Sequence, residues 1–297
     1  MNSELIRFQQ EKKNIEKQVI IGSGLSLLSV ILFVALINYG PWGLILLVPG
    51  VIYMALGASK FKKLSNKFKH EVLAEVITKF VDEGVFEPSR GLSLNTVYAT
   101  EFLKRADRYH VEDYLAGKID GVDFISSDVK LEERHVEHTK NGTRTYYVSY
   151  FLGRIFEFEF NKTFDGYLQV LEGARPHSKR KYKKVKLESI DFNKKFKTYT
   201  TNEHSAFYVL TPHLMESLMD FEKNNKGKIY FSFIDTKLYL GINNFKDTFE
   251  LKMFRELNES SFEEFKRELY VIKDVVTELK LNNNIFKKEW FNWIQFL

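Results

Sequence analysis

The chain has 297 residues, 44 Lys and Arg against 39 Asp and Glu, a net charge of +5, and no cysteine. The missing cysteines exclude disulfides, a thiol nucleophile and thiolate metal sites. With only 16 glycines there is no Walker loop and no dinucleotide fingerprint, and no serine sits in a G-x-S-x-G elbow.

Mean hydropathy is negative, as for a soluble protein, but the average hides an asymmetry. No charged residue occurs from Gln18 to Ser59, while 28% of the whole chain is charged. Residues 19–37 alone extend about 28 Å as a helix, close to the ~30 Å hydrocarbon core of a bilayer. Residues 42–58 form a second, slightly shorter apolar run, with Pro49 inside it. Between them Asn38-Tyr39-Gly40-Pro41 breaks the helix and reverses the chain. Tyr39 and Trp42 are aromatics of the kind found at membrane interfaces. The pattern predicts a two-helix transmembrane hairpin over 18–59. A signal peptide would carry a shorter apolar region and a cleavage site, which two adjacent spans do not match.

Lys12, Lys13 and Lys17 precede the first span, and Lys60, Lys62, Lys63, Lys67 and Lys69 follow the second. The turn has none, so the positive-inside rule places both termini in the cytoplasm. The expected location is the bacterial inner membrane, with residues 1–17 as a cytosolic N-terminal segment. Neither span carries an ionisable group suited to a transport path, so the hairpin reads as an anchor.

Helical spacing resumes over 68–85, with Val72, Val76, Ile77 and Phe80 on one face. Residues 60–94 read as a juxtamembrane helix and loop. The stretch 95–285 reads as an α+β domain with a mostly antiparallel sheet and flanking helices. A short helix over 95–106 comes first. Asp120-Gly121 and Asn141-Gly142 are hairpin turn dipeptides. In 155–161, Phe156, Phe158 and Phe160 alternate with Glu157 and Glu159, as in a half-buried strand. Asp165-Gly166 reads as the next turn. Thr211-Pro212 is a helix start, followed by the stripe Leu214, Met215, Leu218 and Met219. Strands over 228–234 and 237–242 flank Asp235-Thr236. A closing helix over 262–281 buries Phe265, Leu269, Ile272, Val276 and Leu279. In the tail, 286–297, Trp290, Trp293, Ile294 and Leu297 share a helix face that could lie in a membrane interface or dock onto the domain.

Four segments carry a family resemblance: DRYHVEDYLAGKIDGVDFISSDVKLEE (107–133), FEFNKTFDGYLQVL (158–171), FKTYTTNEHSAFYVLTPHLMESL (196–218) and KIYFSFIDTKLYLGI (228–242). In this order, after an apolar N-terminal segment, they resemble a bacterial domain-of-unknown-function family of membrane-anchored proteins. Such proteins are often encoded beside LemA-type membrane proteins. The resemblance implies an inner-membrane protein with a cytosolic domain and a LemA-like partner. It carries over no catalytic residues.

Three groups are candidates for chemistry. His135 and His138 lie three apart, which on a strand puts them on opposite faces and argues against a metal site. Asp107, His110, Glu112 and Asp113 could do acid–base work if they converged. The strongest electrostatic signal is Arg175, Lys179, Arg180, Lys181, Lys183, Lys184 and Lys186, seven basic residues with no acidic one among them. Such a run attracts anionic lipid headgroups or a partner. Nucleic acid is disfavoured, because Tyr182 is the only interleaved aromatic. The expected role is a membrane-anchored binding or scaffold module that recruits a protein partner, without a cofactor; no motif decides whether it is an enzyme, and the absence of one weighs against it. The alternatives are a membrane-tethered hydrolase and a protein that docks on anionic lipid surfaces.

Overall fold

A computed structural model describes residues 2–36, 44–45, 47–140, 142–247 and 249–279, with side chains at all of these except 2–3, 160–163 and 259–260. The turn 38–41, Trp42 and the aromatic tail with Trp290, Trp293, Ile294 and Leu297 lie outside the described residues. The chain divides into two compact units, 1–75 with 249–266, and 76–248 with 267–297.

The first unit is built on helices α1 (Asn2–Ala35) and α2 (Leu47–Phe68). Among the described residues one helix, Glu4–Ala35, is long and apolar enough to cross a membrane. The expected pair of spans is therefore met only in part. Helix α2 starts at Leu47 rather than Trp42. Its apolar part before Lys60 covers only about 18 Å. It then runs on through Lys60, Lys62, Lys63 and Lys67 without a break.

The two helices are antiparallel and close. A Cβ placed on Gly22 would lie 2.7 Å from Met54 N, and one on Gly50 would lie 2.6 Å from Ser26 Oγ. Gln18 Nε2 donates to Tyr53 O at 3.1 Å, and Lys60 Nζ donates to Gln18 Oε1 at 3.0 Å. Small residues thus line the contact, while Ile20, Ile21, Leu27, Ile31, Val34, Val48 and Leu56 face outward. This is inside-out relative to a soluble helix pair, which buries its large apolar side chains.

Further along, Phe68 packs edge-on against Phe8 at 5.6 Å and Phe262 at 6.3 Å. Lys12 is buried and bonds Glu16 and Arg255 O. Lys69 is buried beside Glu250. Two of the flanking lysines are thus neutralised inside this unit. After a π-helical turn, Lys69–Leu73, the helix continues as α3 (Ala74–Phe80). The helical spacing predicted to reach Val85 stops earlier, because Asp82–Glu87 is strand β1.

The second unit holds a seven-stranded sheet, antiparallel at every pairing, of β1, β2 (Arg108–Ile119), β3 (Val122–Thr139), β4 (Gly142–Leu171), β5 (Lys183–Val185), β6 (Lys197–Thr200) and β7 (Lys228–Asn243), in the order β1-β2-β3-β4-β6-β5, with β7 also on β4. Strands β2 (Arg108–Ile119) and β3 (Val122–Thr139) meet at Asp120 and Gly121, with φ of 49° and 78°. Two positive φ values in a two-residue loop make the tight turn that the dipeptide predicts. Strand β4 (Gly142–Leu171) is the spine. It pairs with β3 first and with β7 (Lys228–Asn243) from Arg154 onward.

Two expected turns are absent. Asp165-Gly166 lies inside β4 and Asp235-Thr236 inside β7, and Phe164 pairs with Asp235 between register shifts. The chain stays in one strand at each point, and the register shifts leave the extra residues on β4, on either side of Phe164. Asp235 takes a φ of 53° opposite Phe164.

Phe156, Phe158, Phe231 and Phe233 are buried on the sheet, with Glu159 exposed. Each such ring stabilises the fold by roughly 1.5–3 kcal/mol. The predicted alternation holds at Phe156 and Phe158; the side chain of Phe160 lies outside the described set. Short helices α4 (Leu94–Ala99), α5 (Ile190–Lys195) and α6 (Glu203–Val209), and the longer α7 (Pro212–Asn224), accompany the sheet. Thr211 caps α7 through its side chain onto Leu214 N, as its sequence predicts. Helix α8 (Glu259–Glu278) ends the described chain and buries Phe265, Leu269, Ile272, Val276 and Leu279.

Candidate functional site

The basic stretch is a fastened edge rather than a free loop. Ser93 caps α4 by accepting from Thr96 N, and Thr100 Oγ1 closes its last turn on Val97 O at 2.7 Å. Glu101 follows with a φ of 55°. This turn aims its carboxylate at the basic segment. Arg180 Nε donates to Glu101 Oε1 at 2.8 Å, and Tyr182 Oη donates to Oε2 at 2.6 Å. His177 N donates to Glu101 O at 2.8 Å. The Arg180 guanidinium also lies 3.5 Å over the Tyr167 ring. Burial, then the Glu101 carboxylate, pushes the Tyr182 hydroxyl well above its ordinary pKa. It therefore stays a donor at physiological pH.

Beyond Tyr182 the chain forms β5 (Lys183–Val185), which pairs with β6 (Lys197–Thr200) at the end of the sheet order. Val185 and Leu187 are buried and hold it down. Lys183 reaches Glu203 at 3.4 Å. Arg175, Lys179, Lys181, Lys184 and Lys186 are exposed, with no carboxylate partner among the described residues. Of these five cations Lys184 lies in β5 itself, and the others stand in the irregular chain on either side of it. Lysines on an edge strand also discourage unwanted strand addition, and Lys183 and Lys184 serve that purpose on β5.

A cavity of about 170 Å³ beside this segment is lined by Phe102, Lys104, Tyr150, His177 and Tyr230 among others. Burial first, then Arg175 and Lys104, holds the His177 imidazole below its usual pKa. The space is too small for a drug-sized ligand.

The polar run on β2 does not converge. Asp107 Oδ2 accepts from Arg134 N at 2.7 Å. His110 is 68% exposed and sits 3.5 Å from Glu112. Asp113 turns the other way at a bulge between Glu112 and Leu115, with a φ of 56°, and is fully buried. There Arg154, itself buried, donates to Asp128 Oδ1 and to Asp113 O at 2.9 Å each, and to Ser126 Oγ. The carboxylates of Asp113, Asp128 and Asp247 lie within 4.8 Å of one another and could in principle hold a cation. The Arg154 guanidinium already supplies positive charge there. The arrangement is a structural ion pair, Arg154 with Asp128, beside two further carboxylates, and the polar run of β2 does not bring an acid and a base together there.

The β3–β4 hairpin outruns its neighbours. Strand β2 pairs with β3 only as far as Glu132, while β3 and β4 stay paired to Thr139 and Gly142. Residues 133–140 and 142–148 therefore project as a two-stranded ribbon. His135 stacks on Tyr146 at 5.4 Å on one face. On the other, His138 Nδ1 meets Thr143 Oγ1 at 3.0 Å, so the two histidines do not share a ligand. Val136, Tyr146 and Val148 are each at least 40% exposed. The sequence marked this hairpin but not its projection, which depends on where β2 begins.

Residues 149–281 match the model of the family described as "Protein of unknown function (DUF3137)". This agrees with the resemblance drawn from the four segments; the association with LemA-type proteins is not part of the match. No curated protein matches the chain. Among solved structures, the mycobacterial trehalose monomycolate transport factor A, TtfA, is similar at 8% identity and a TM-score of 0.35. That likeness covers 65% of this chain and 88% of the other. At that score it carries no functional argument.

Proposed function

We propose that the chain is a membrane-anchored binding module whose α+β unit recruits a protein partner through the β3–β4 ribbon. The observation that carries this reading is the ribbon itself. It holds Val136, Tyr146 and Val148 out to solvent on a support braced by Arg108 over the Tyr147 ring at 3.3 Å. Exposed apolar and aromatic side chains on a fixed scaffold are what an interface core uses. The scattered polar residues of β2 favour binding over hydrolysis.

The anchor is read as the two-span hairpin of the inner membrane, with both termini cytoplasmic. The inside-out packing of α1 and α2 supports it, since helices in lipid pair through small residues and turn large apolar ones outward. A LemA-like membrane protein is the partner that the family resemblance nominates. A second role, docking on anionic headgroups, is favoured for Arg175, Lys179, Lys181, Lys184 and Lys186 by their exposure without a carboxylate partner among the described residues.

Photo-crosslinking tests the main reading. A photoreactive residue at Tyr146 or Val148 in the full chain should trap a discrete protein partner in cells. The same probe at exposed Lys197 should not. Equal products from all three positions, or none from the ribbon, would remove the ribbon as the recruiting surface.

A further inference from the structure

At the polar end of the helix pair, α1 and α2 flank a cleft of about 350 Å³. Ile15 and Leu64 give it an apolar lining, and Lys60, Lys63 and Lys67 stand along the α2 side. Their spacing of three and then four residues places them on one face of the helix. Among the described residues Glu11 is the only carboxylate of the lining, and it is held by Arg7 at 3.2 Å. Lys60 bonds the neutral amide of Gln18. Lys67 lies 5.6 Å from the centre of the Phe8 ring. Lys63 has no ion-pair partner among the described residues. Three cations on two helical turns repel one another when nothing lies between them.

The position of the cleft matters as much as its charge. Lys60 is the first charged residue after the uncharged run from Gln18 to Ser59. On the anchoring reading above, on which this inference rests, that is the level of the phospholipid headgroups. We infer that the cleft binds the headgroup of an anionic phospholipid, its phosphate among Lys60, Lys63 and Lys67. A zwitterionic headgroup would bring its own cation against the same lysines, so the site discriminates by net charge. Basic pockets between helices at the cytoplasmic boundary are suited to this ligand class. The lipid would fix the depth of α2, whose own apolar part is short.

The test uses the full chain in a neutral mild detergent, with native mass spectrometry to count retained lipids. Phosphatidylglycerol should be retained about tenfold more strongly than phosphatidylcholine of the same chain length, in line with several cationic contacts. The variant K60Q/K63Q/K67Q should lose that preference. K13Q/K17Q/K62Q, which removes the same charge away from the cleft, should keep it. Equal retention of both lipids by the wild type, or equal loss in both variants, would overturn the inference. So would full displacement of phosphatidylglycerol by an equal concentration of inorganic phosphate, which would mark a site for soluble anions. Should the triple variant fail to fold, Lys63→Gln alone must weaken the preference severalfold; an unchanged preference counts against the site. Carbonate extraction of membranes separates the two failures. A wild type that resists extraction but lacks lipid preference leaves the anchor standing and removes the cleft. A wild type that is extracted removes both.

Discussion

A side chain with a Cβ costs roughly 1–2 kcal/mol when its backbone enters the left-handed region, and Glu101 sits there at a φ of 55°. The bonds from Arg180, Tyr182 and the His177 amide offset that cost. Hydrogen bonds to charged groups contribute about 1.5–3 kcal/mol each, less where the partner is as exposed as Arg180. Two substitutions separate strain from contact. Glu101→Ala keeps the strained backbone and loses both side-chain bonds. Glu101→Gly loses the bonds but relieves the strain. Limited trypsin digestion should cut within 179–186 about tenfold faster in both, because opening the segment no longer breaks those bonds. Chemical denaturation should find the glycine variant more stable than the alanine variant by about 1 kcal/mol. Wild-type cleavage rates in both would mean that β5 alone holds the segment. The seven basic residues were plain in the sequence, as was the lone Tyr182. Their anchor was not, since Glu101 lies 79 positions from Arg180 and its φ leaves no mark on a chain of letters.

Turn dipeptides record a need for positive φ, and a bulge meets that need as well as a hairpin does. Asp120-Gly121 closes a real turn because β2 and β3 both end there. Asp165-Gly166 and Asp235-Thr236 look alike in sequence, yet the chain passes through both, because β4 absorbs its extra residues as bulges while it stays paired with β7. Pairing register is a tertiary fact, so local chemistry located the bends without saying whether the strands reversed. Helices were more legible: α7 begins at its cap and α8 buries the predicted stripe, because a cap and a periodic face are local. The contact between α1 and α2 makes a further prediction at this scale. Gly22→Leu forces a side chain where even a Cβ would lie 2.7 Å from Met54 N and 2.8 Å from Gly50 O. Backbone cannot yield there without parting the helices. Overpacking of this kind costs about 1–3 kcal/mol or more. Thermal unfolding in detergent should begin earlier than for Gly24→Leu, where nothing lies within 4 Å of the added Cβ. Equal melting of the two variants would mean that the helices do not pack through Gly22.

Whether the chain crosses the membrane once or twice decides which side its sheet occupies, and helix length alone gives one span, Glu4–Ala35. Packing argues for the second. Val48, Val51, Ile52 and Leu56 face outward from α2, and in water that exposed apolar strip would be a liability for aggregation. The distribution of charge points the same way, with lysines at both outer flanks and none from 18 to 59. The chain has no cysteine, so any introduced thiol is a unique reporter of sidedness. Tyr39→Cys should react with a membrane-impermeant maleimide in intact cells. Gln10→Cys and Lys226→Cys should react only after the membrane is permeabilised. A single span predicts a different pattern, with Gln10 and Lys226 on opposite sides and only one of them protected. On the proposed reading, a double span would keep the ribbon and the basic stretch on the side where a cytosolic partner and the anionic inner leaflet are both within reach. Labelling of Lys226→Cys in intact cells would move both surfaces to the outer side, and the recruiting role in the cytoplasm would fall with them.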